Sequence, residues 1–200
     1  QELEGFGKRT ETEILSNLKR KKKSQNRIPR NDALPIAKKI IARLKNLKEV
    51  QKVNYMGSLR RKKSAIGDID ILVSSTKPNQ VMNFFTQMPE AVRTLVKGET
   101  KSSILFDGFL QIDLRVIPPE SYGAAAQYFT GSIEHNIMLR KIAIKKGYKL
   151  SEWGIFDRKT NEQIPTKTEK AVYNLLGFKL IPPEKRIGGK EFTTYSLKKN

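Results

Sequence analysis

The chain has 200 residues, enough for one domain or a few small lobes around a real core. Lys and Arg total 39 against 20 Asp and Glu, a formal charge of +19, which points to a polyanionic partner because neutralised phosphates release counterions. There is no cysteine, so a disulfide scaffold and a thiolate metal site are excluded, and neither a transmembrane-length apolar run nor a signal peptide is visible.

The expected location is therefore cytoplasmic (at the nucleoid in a prokaryote), neither secreted nor in a membrane. The chain opens on Gln1 instead of Met, as a piece of a longer protein would. The charge is unevenly spread. Residues 1–50 hold 14 basic and 6 acidic residues, residues 51–125 hold 10 and 7, and residues 126–200 hold 15 and 7. A nearly neutral centre between basic flanks suits a protein that grips a duplex around an acidic site. A basic ribosome-associated protein has a similar balance.

Residues 3–18, LEGFGKRTETEILSNL, carry a Gly-x-Gly turn between two helical pieces, the shape of a helix-hairpin-helix. The turn at Gly5-Phe6-Gly7, followed by Lys8, can offer backbone N–H groups to a DNA phosphate, although an ordinary helix start has the same spacing. Residues 20–30 form a basic connector, either a solvated linker or a path for template phosphates. Asn31 or Asp32 offers an N-cap, and Leu34, Ala37, Ile40, Ile41, Leu44 and Leu47 predict an amphipathic helix over 33–48. A strand over 52–56 leads into Gly57. A turn or short helix and a loop fill 60–67, and a second strand runs over 68–74. A short helix over 81–87 and strands over 92–97 and 102–106 follow. Asp107-Gly108 predicts a hairpin to a strand over 109–117. Pro118-Pro119 ends the sheet. A helix begins at 124–128 and breaks at 129–131. Ser132 caps the next one, and Gly147 closes it. A small sheet around 150–156 and a helix over 168–176 complete the lobe, leaving residues 188–200 as a frayed tail or linker.

The chemistry concentrates in two of these strands. Side chains alternate along a strand, so Asp68 and Asp70 share a face while Ile69, Ile71 and Val73 point into a core. In the strand over 109–117, Leu110, Ile112, Leu114 and Val116 take the core face, and Gln111, Asp113 and Arg115 the opposite one. Three neighbouring carboxylates, Asp68, Asp70 and Asp113, repel one another unless a cation is present. Two hard divalent ions, magnesium (Mg2+) or manganese (Mn2+), would meet that need and clamp an in-line phosphoryl displacement. Gly57-Ser58 supplies close backbone approach and a hydroxyl, and Arg60, Arg61, Lys62 and Lys63 supply charge for a polyphosphate. Asp-x-Asp alone fits a solvated strand edge equally well. The Gly-Ser, the basic run and the third acid together point to nucleotidyl transfer.

Gly57-Ser58 followed by Gly67-Asp68-x-Asp70 resembles the signature of the polymerase beta nucleotidyltransferase superfamily. Within it the chain is similar to family X DNA polymerases of the bacterial and archaeal type, over about residues 4–186. The shared motifs are LEGFGKRTETEIL, GSLRRKKSAIGDIDILV, GETKSS, QIDLRVIPPESYGAAAQYFTGSIEHN, and GYKLSEWGIF with IPPEKR. The resemblance implies an α+β fold. Its parts would be a helix-hairpin-helix and basic linker (1–30), a palm with a mixed or antiparallel sheet and helices on one face (31–120), a small α+β nucleotide-binding lobe (121–187), and the tail (188–200). It implies template-directed transfer from a dNTP to a primer 3′-hydroxyl on primer-template or gapped duplex DNA, in short-gap repair, by a monomer.

Residue by residue, the resemblance gives Asp68 and Asp70 both metals and Asp113 the catalytic one. Gly57, Ser58, Arg61 and Gly67 match the triphosphate contacts. Tyr128, Phe129 and Gly131, in the Tyr-Phe-Thr-Gly turn, match the contacts under the incoming sugar. Asn136 matches the minor-groove contact to the incoming base. Arg140, on the same helical face, matches a contact to the template, and Gly5, Gly7, Lys8 and Arg115 are further DNA contacts. Gln111 departs from the pattern, replacing an arginine that pairs with a metal-binding carboxylate. Ile133 departs too, replacing an acid beside the incoming base, and an apolar side chain there favours stacking. His135, the single histidine, reads as a surface or near-substrate residue. The family's lyase lysine has no counterpart here, and one histidine cannot build the phosphoesterase site that bacterial relatives carry, so neither activity is expected. Two other readings are another nucleotidyltransferase acting on RNA ends or small molecules, and a non-catalytic DNA-gripping module.

Overall fold

The computed structural model describes residues 27–197; the expected helix-hairpin-helix with Gly5, Gly7 and Lys8 lies outside them. Five strands form the main sheet: β2 (Lys52–Tyr55), β4 (Asp68–Ser74), β5 (Ala91–Lys97), β6 (Lys101–Phe106) and β7 (Leu110–Ile117). Their spatial order is β2-β4-β7-β6-β5, with β4 and β7 parallel and the other pairs antiparallel, so the sheet is mixed. Asp107 and Gly108, both at positive φ, make the expected tight turn between β6 and β7. A two-residue ribbon, β1 (Ile28–Pro29) with β3 (Ala65–Ile66), ties the end of the basic connector to the loop before Asp68. Two residues are too few to show as a periodic pattern.

The alternation read from the sequence sets the layers. Ile69, Ile71, Val73, Ile112, Leu114 and Val116 are buried on one face, under α1 (Arg30–Lys45) and α3 (Pro78–Thr86). Helix α1 starts ahead of the expected cap. Pro29 is its N-cap, so neither Asn31 nor Asp32 serves, and Asp32 instead lies in the first turn, where an acid suits the positive helix end. On the opposite face Leu72 and Ile117 are also buried, beneath Ala125 and Ala126 of α4 (Tyr122–Thr130). The acid face is therefore covered at its far end and open where Asp68 and Asp70 stand.

The second lobe has its own core, with Leu139, Leu150, Ile155, Val172, Tyr173 and Phe192 among its members. Its elements are α4, α5 (Ile133–Lys145), a small sheet of β8 (Tyr148–Ser151), β9 (Gly154–Asp157) and β10 (Gln163–Ile164), then α6 (Glu169–Leu175) and α7 (Glu191–Thr194). Ser132 caps α5 as expected, its hydroxyl accepting from the His135 N–H at 3.3 Å. Helix α4 runs through Thr130, past the expected break, and faces both cores: Ala124 belongs to the lobe, Ala125 and Ala126 to the sheet side. Small side chains let one helix pack against two bodies. Among the described residues no helix is long and apolar enough to cross a membrane.

Two expectations are corrected here. Residues 188–197 are not a frayed tail, because α7 docks on the lobe with Glu191 and Phe192 buried. His135 is not a surface residue but has no exposure at all. Each correction explains the other, since Phe192 stacks on the His135 ring at 4.8 Å and Glu191 bonds to it. The partners lie 56 residues apart, beyond the reach of local periodicity.

Candidate active site

In the parallel register of β4 and β7, Asp70 stands beside Asp113 and Asp68 beside Gln111. All three acids are half-buried on one sheet face, on strands of ordinary spacing, roughly 4.8 Å. Their side chains, however, do not close into a cage: among the described residues no three acidic or histidine side chains are grouped to hold a metal ion. The expected meeting is one of backbone register, not of carboxylate oxygens. Part of the reason is Gln111, whose amide donates to Asp113 Oδ1 at 2.6 Å and holds that side chain along its own strand. The departure noted in the sequence thus has a use, since the neutral amide holds an acid by hydrogen bonding.

Facing Asp70 is α2 (Gly57–Arg60), a single turn. Gly57 opens it at φ +57°, and a Cβ there would collide with Asp70 Oδ2, so the position takes glycine on two grounds. Ser58 and Arg61 follow on the same wall. The Arg61 guanidinium donates to the Thr130 carbonyl and runs beneath Gly131, at φ +70°, where a Cβ would lie 2.9 Å from Arg61 Nη1. Burial pulls the Arg61 pKa below its ordinary value, while Asp70 and Glu134 pull it back up.

The neighbouring cations are engaged elsewhere. Arg60, which the sequence offered as charge for a polyphosphate, pairs with Glu169 at 2.7 and 3.1 Å and donates to the Thr130 hydroxyl. Glu169 also accepts from the buried Arg186 at 2.6 Å. Burial alone would raise the Glu169 pKa, but Arg186 and Arg60 hold it below the ordinary carboxylate value. Lys62 pairs with Glu184 at 2.8 Å. These contacts tie α2 to the second lobe.

The far wall comes from the break between α4 and α5. The Tyr128 and Phe129 rings meet edge to face at 5.2 Å, and Arg115, half-buried, lies 5.3 Å from the Phe129 centroid. Arg115 therefore stands beneath the aromatic turn. Asn136 donates to the Tyr128 carbonyl at 2.7 Å and accepts from Gln127 at 2.8 Å. The sequence reading missed Gln127. Its one signal was an amide in the otherwise apolar run Ala124-Ala125-Ala126. Between the walls lies a cleft of about 340 Å³, lined by Gly57, Ser58, Arg61, Asp68, Asp70, Tyr128, Phe129, Gly131, Ile133, Asn136 and Arg140. Of the expected nucleotide residues only Gly67, half-buried before Asp68, is not on this lining, and the expected metal-binding Asp113, in register with Asp70, is not on it either.

A mixed sheet presenting acids to a cleft, roofed by a second lobe, is the layout of a polymerase palm with its thumb. The DNA polymerase beta palm model matches residues 27–146, and the DNA polymerase beta thumb model matches residues 125–187. The chain belongs to the DNA polymerase beta family, family X. The two matches overlap on most of α4 and all of α5, and α4 is the helix that faces both cores.

The chain is similar to the DNA polymerase/3′-5′ exonuclease PolX of Bacillus subtilis (strain 168), 34% identical over 198 residues, 98% of this chain and 35% of that protein. It is also similar to the repair DNA polymerase X of African swine fever virus (isolate Tick/South Africa/Pretoriuskop Pr4/1996). There it is 28% identical over 138 residues, 66% of this chain and 79% of the viral protein. The chain thus spans about a third of the length of the Bacillus relative.

Proposed function

We propose that this chain is the core of a template-directed DNA polymerase that fills short gaps during repair. It would transfer a nucleotide from a dNTP to a primer 3′-hydroxyl and release pyrophosphate. One observation carries the reading: Asp68 and Asp70, the latter in register with Asp113, share one cleft with Ser58, Arg61 and the Tyr128–Gly131 turn. The relatives' names, a polymerase with exonuclease activity and a repair polymerase, support it.

The donors at the cleft floor are all oxygen, which suits a hard cation, and Asp68, Asp70 and Asp113 are the residues that would hold two magnesium ions, with manganese as a substitute. When bound, such ions polarise the transferred phosphate and clamp the attacking and leaving oxygens. Asp113, beside the primer end, accepts the proton of the 3′-hydroxyl. The Ser58 hydroxyl and the Arg61 guanidinium bind the triphosphate. Tyr128, Phe129 and Gly131 lie under the sugar and exclude a 2′-hydroxyl by shape. Asn136 donates to the minor-groove acceptor of the incoming base, and Arg140 meets the template. Ile133, 75% exposed at the cleft, gives the base an apolar surface. Arg115 acts through Phe129. Most of the rate enhancement then comes from positioning and charge stabilisation, with proton transfer secondary. We assign the protein to the DNA-containing compartment, the cytoplasm in a prokaryote, as a monomer.

The test is extension of a one-nucleotide gap with each dNTP singly, in magnesium and in manganese, by the chain and by its Asp113→Ala variant. Incorporation of the complementary nucleotide alone, lost in the variant, is expected. Untemplated labelling of RNA ends would make it a different nucleotidyltransferase. Tight binding to the gap without incorporation would make it a DNA-gripping module.

A further inference from the structure

Another cavity of about 340 Å³ lies in the second lobe, and Arg140 lines both it and the cleft. The local fold brings two more cations to its rim. Arg158 follows β9, and its N–H donates to the Gly147 carbonyl at 2.9 Å, which extends the β8–β9 ladder by one step. Lys149 stands opposite Phe156 in that ladder, so Lys149 and Arg158 fall on one face as diagonal neighbours. Arg140 reaches the same cavity from α5. Leu150, buried, and Ile144, 52% exposed, give it an apolar wall.

Like charges gathered around one space repel each other and favour an anion there. The fold itself supplies little. Among the described residues none of the three cations has an ion-pair partner, whereas Arg43, Arg60, Lys62 and Arg186 each pair with a glutamate. One carboxylate, Asp157, also lines the cavity. Its Oδ1 accepts from the N–H groups of Lys159 and Thr160 at 2.7 and 3.1 Å, which holds it in its own turn. Three cations against one carboxylate leave two positive charges, and the Asn161 amide adds a neutral donor. All three cationic side chains are exposed, so a phosphate carried on a large molecule can reach them. The apolar wall suits the sugar carbons beside such a phosphate.

We propose that this cavity is a second phosphate site, distinct from the Ser58 and Arg61 wall of the cleft, and that Arg140, Lys149 and Arg158 bind a phosphate of the DNA in it. Because Arg140 borders both cavities, that phosphate lies close to the nucleotide being added. Two sources offer the same anionic oxygens: the template backbone beside the templating base, and the terminal 5′-phosphate at the downstream margin of the gap. DNA as the ligand rests on the reading of the chain as a polymerase core.

The test measures anisotropy of the chain on one-nucleotide gapped duplexes in which single template phosphates are replaced by neutral methylphosphonates. One further duplex ends in a 5′-hydroxyl instead of a 5′-phosphate. Each is compared between the wild type and the Lys149→Gln/Arg158→Gln double variant, its fold checked by circular dichroism. At one position the loss of charge should weaken the wild type by about tenfold and the double variant by less than about twofold. Coupling at a template position assigns the backbone as the source, and coupling at the 5′-end assigns the gap margin. Equal losses in both proteins at every position would overturn the site, leaving the two residues as general positive charge. Should the double variant fail to fold, Lys149→Gln alone reads the same coupling. Binding is measured without dNTP or metal. Coupling in a chain that incorporates nothing would therefore keep the site and remove the polymerase reading, and gap filling without coupling would remove the site alone.

Discussion

Gly57 and Asp70 are the two residues whose fit matters most at the cleft floor. The glycine combines a backbone conformation that side chains resist with a clash that any Cβ would create against the Asp70 carboxylate. Gly57→Ala is expected to cost about 1–3 kcal/mol of stability and to lower single-turnover incorporation by about two orders of magnitude, because Asp70 must move. Urea melts and rapid-quench kinetics read the two effects separately. A second residue-scale prediction concerns acid. His135 is held at about 4 in the fold against about 6.5 in an unfolded chain. Glu191, Tyr173, Arg186 and Glu169 surround it, and burial outweighs the two acids. The unfolded chain therefore binds a proton that the native ring refuses. The contribution of His135 is complete above about pH 6.5 and is lost as the pH falls toward 4. Urea midpoints at pH 7 and pH 5 should fall further apart in the wild type than in His135→Phe, and parallel shifts would remove this role.

At the scale of elements, α4 is the joint of the molecule, and the ion pairs beside it tie the lobes together. Arg60 on α2 and Glu169 on α6 make the clearest bridge, with Arg186 completing the charge balance. Arg60→Met leaves Glu169 with Arg186 alone. It should lower stability by about 1–3 kcal/mol and weaken dNTP binding more than DNA binding, checked by denaturant melts beside two titrations. Elements with a strong period were legible in the sequence: the strand around Asp68 and Asp70, the hairpin at Asp107-Gly108, the helix capped by Ser132. What escaped lacked a period or depended on distant partners. Helix α1 starts at Arg30, directly after Ile28 and Pro29 pair with Ile66 and Ala65, a contact that no local period announces. Helix α7 is four residues long and is held by Glu191 and Phe192 against His135. The site shows the same division. Alternation put Asp68, Asp70 and Asp113 on one face, but the turning of Asp113 toward Gln111 is a side-chain event that spacing does not encode. The partnerships of Arg60 and Gln127 likewise join segments that only the tertiary fold brings together.

Over the whole molecule, a charge of +19 makes contact with DNA depend on salt. With several phosphates neutralised, affinity for gapped duplex should fall by about a thousandfold between 50 and 200 mM salt. Fluorescence anisotropy across that range tests it, and a nearly flat curve would assign the basic flanks to some other partner. The acidic cleft is the counterpart of those flanks, and the whole reading turns on cations meeting there. The most direct measurement is anomalous scattering from manganese in crystals of the chain with gapped duplex and a non-hydrolysable dNTP. The account predicts two peaks roughly 3.5–4 Å apart, touching Asp68, Asp70 and, for one of them, Asp113. Bound nucleotide with no peak among these three acids would contradict it.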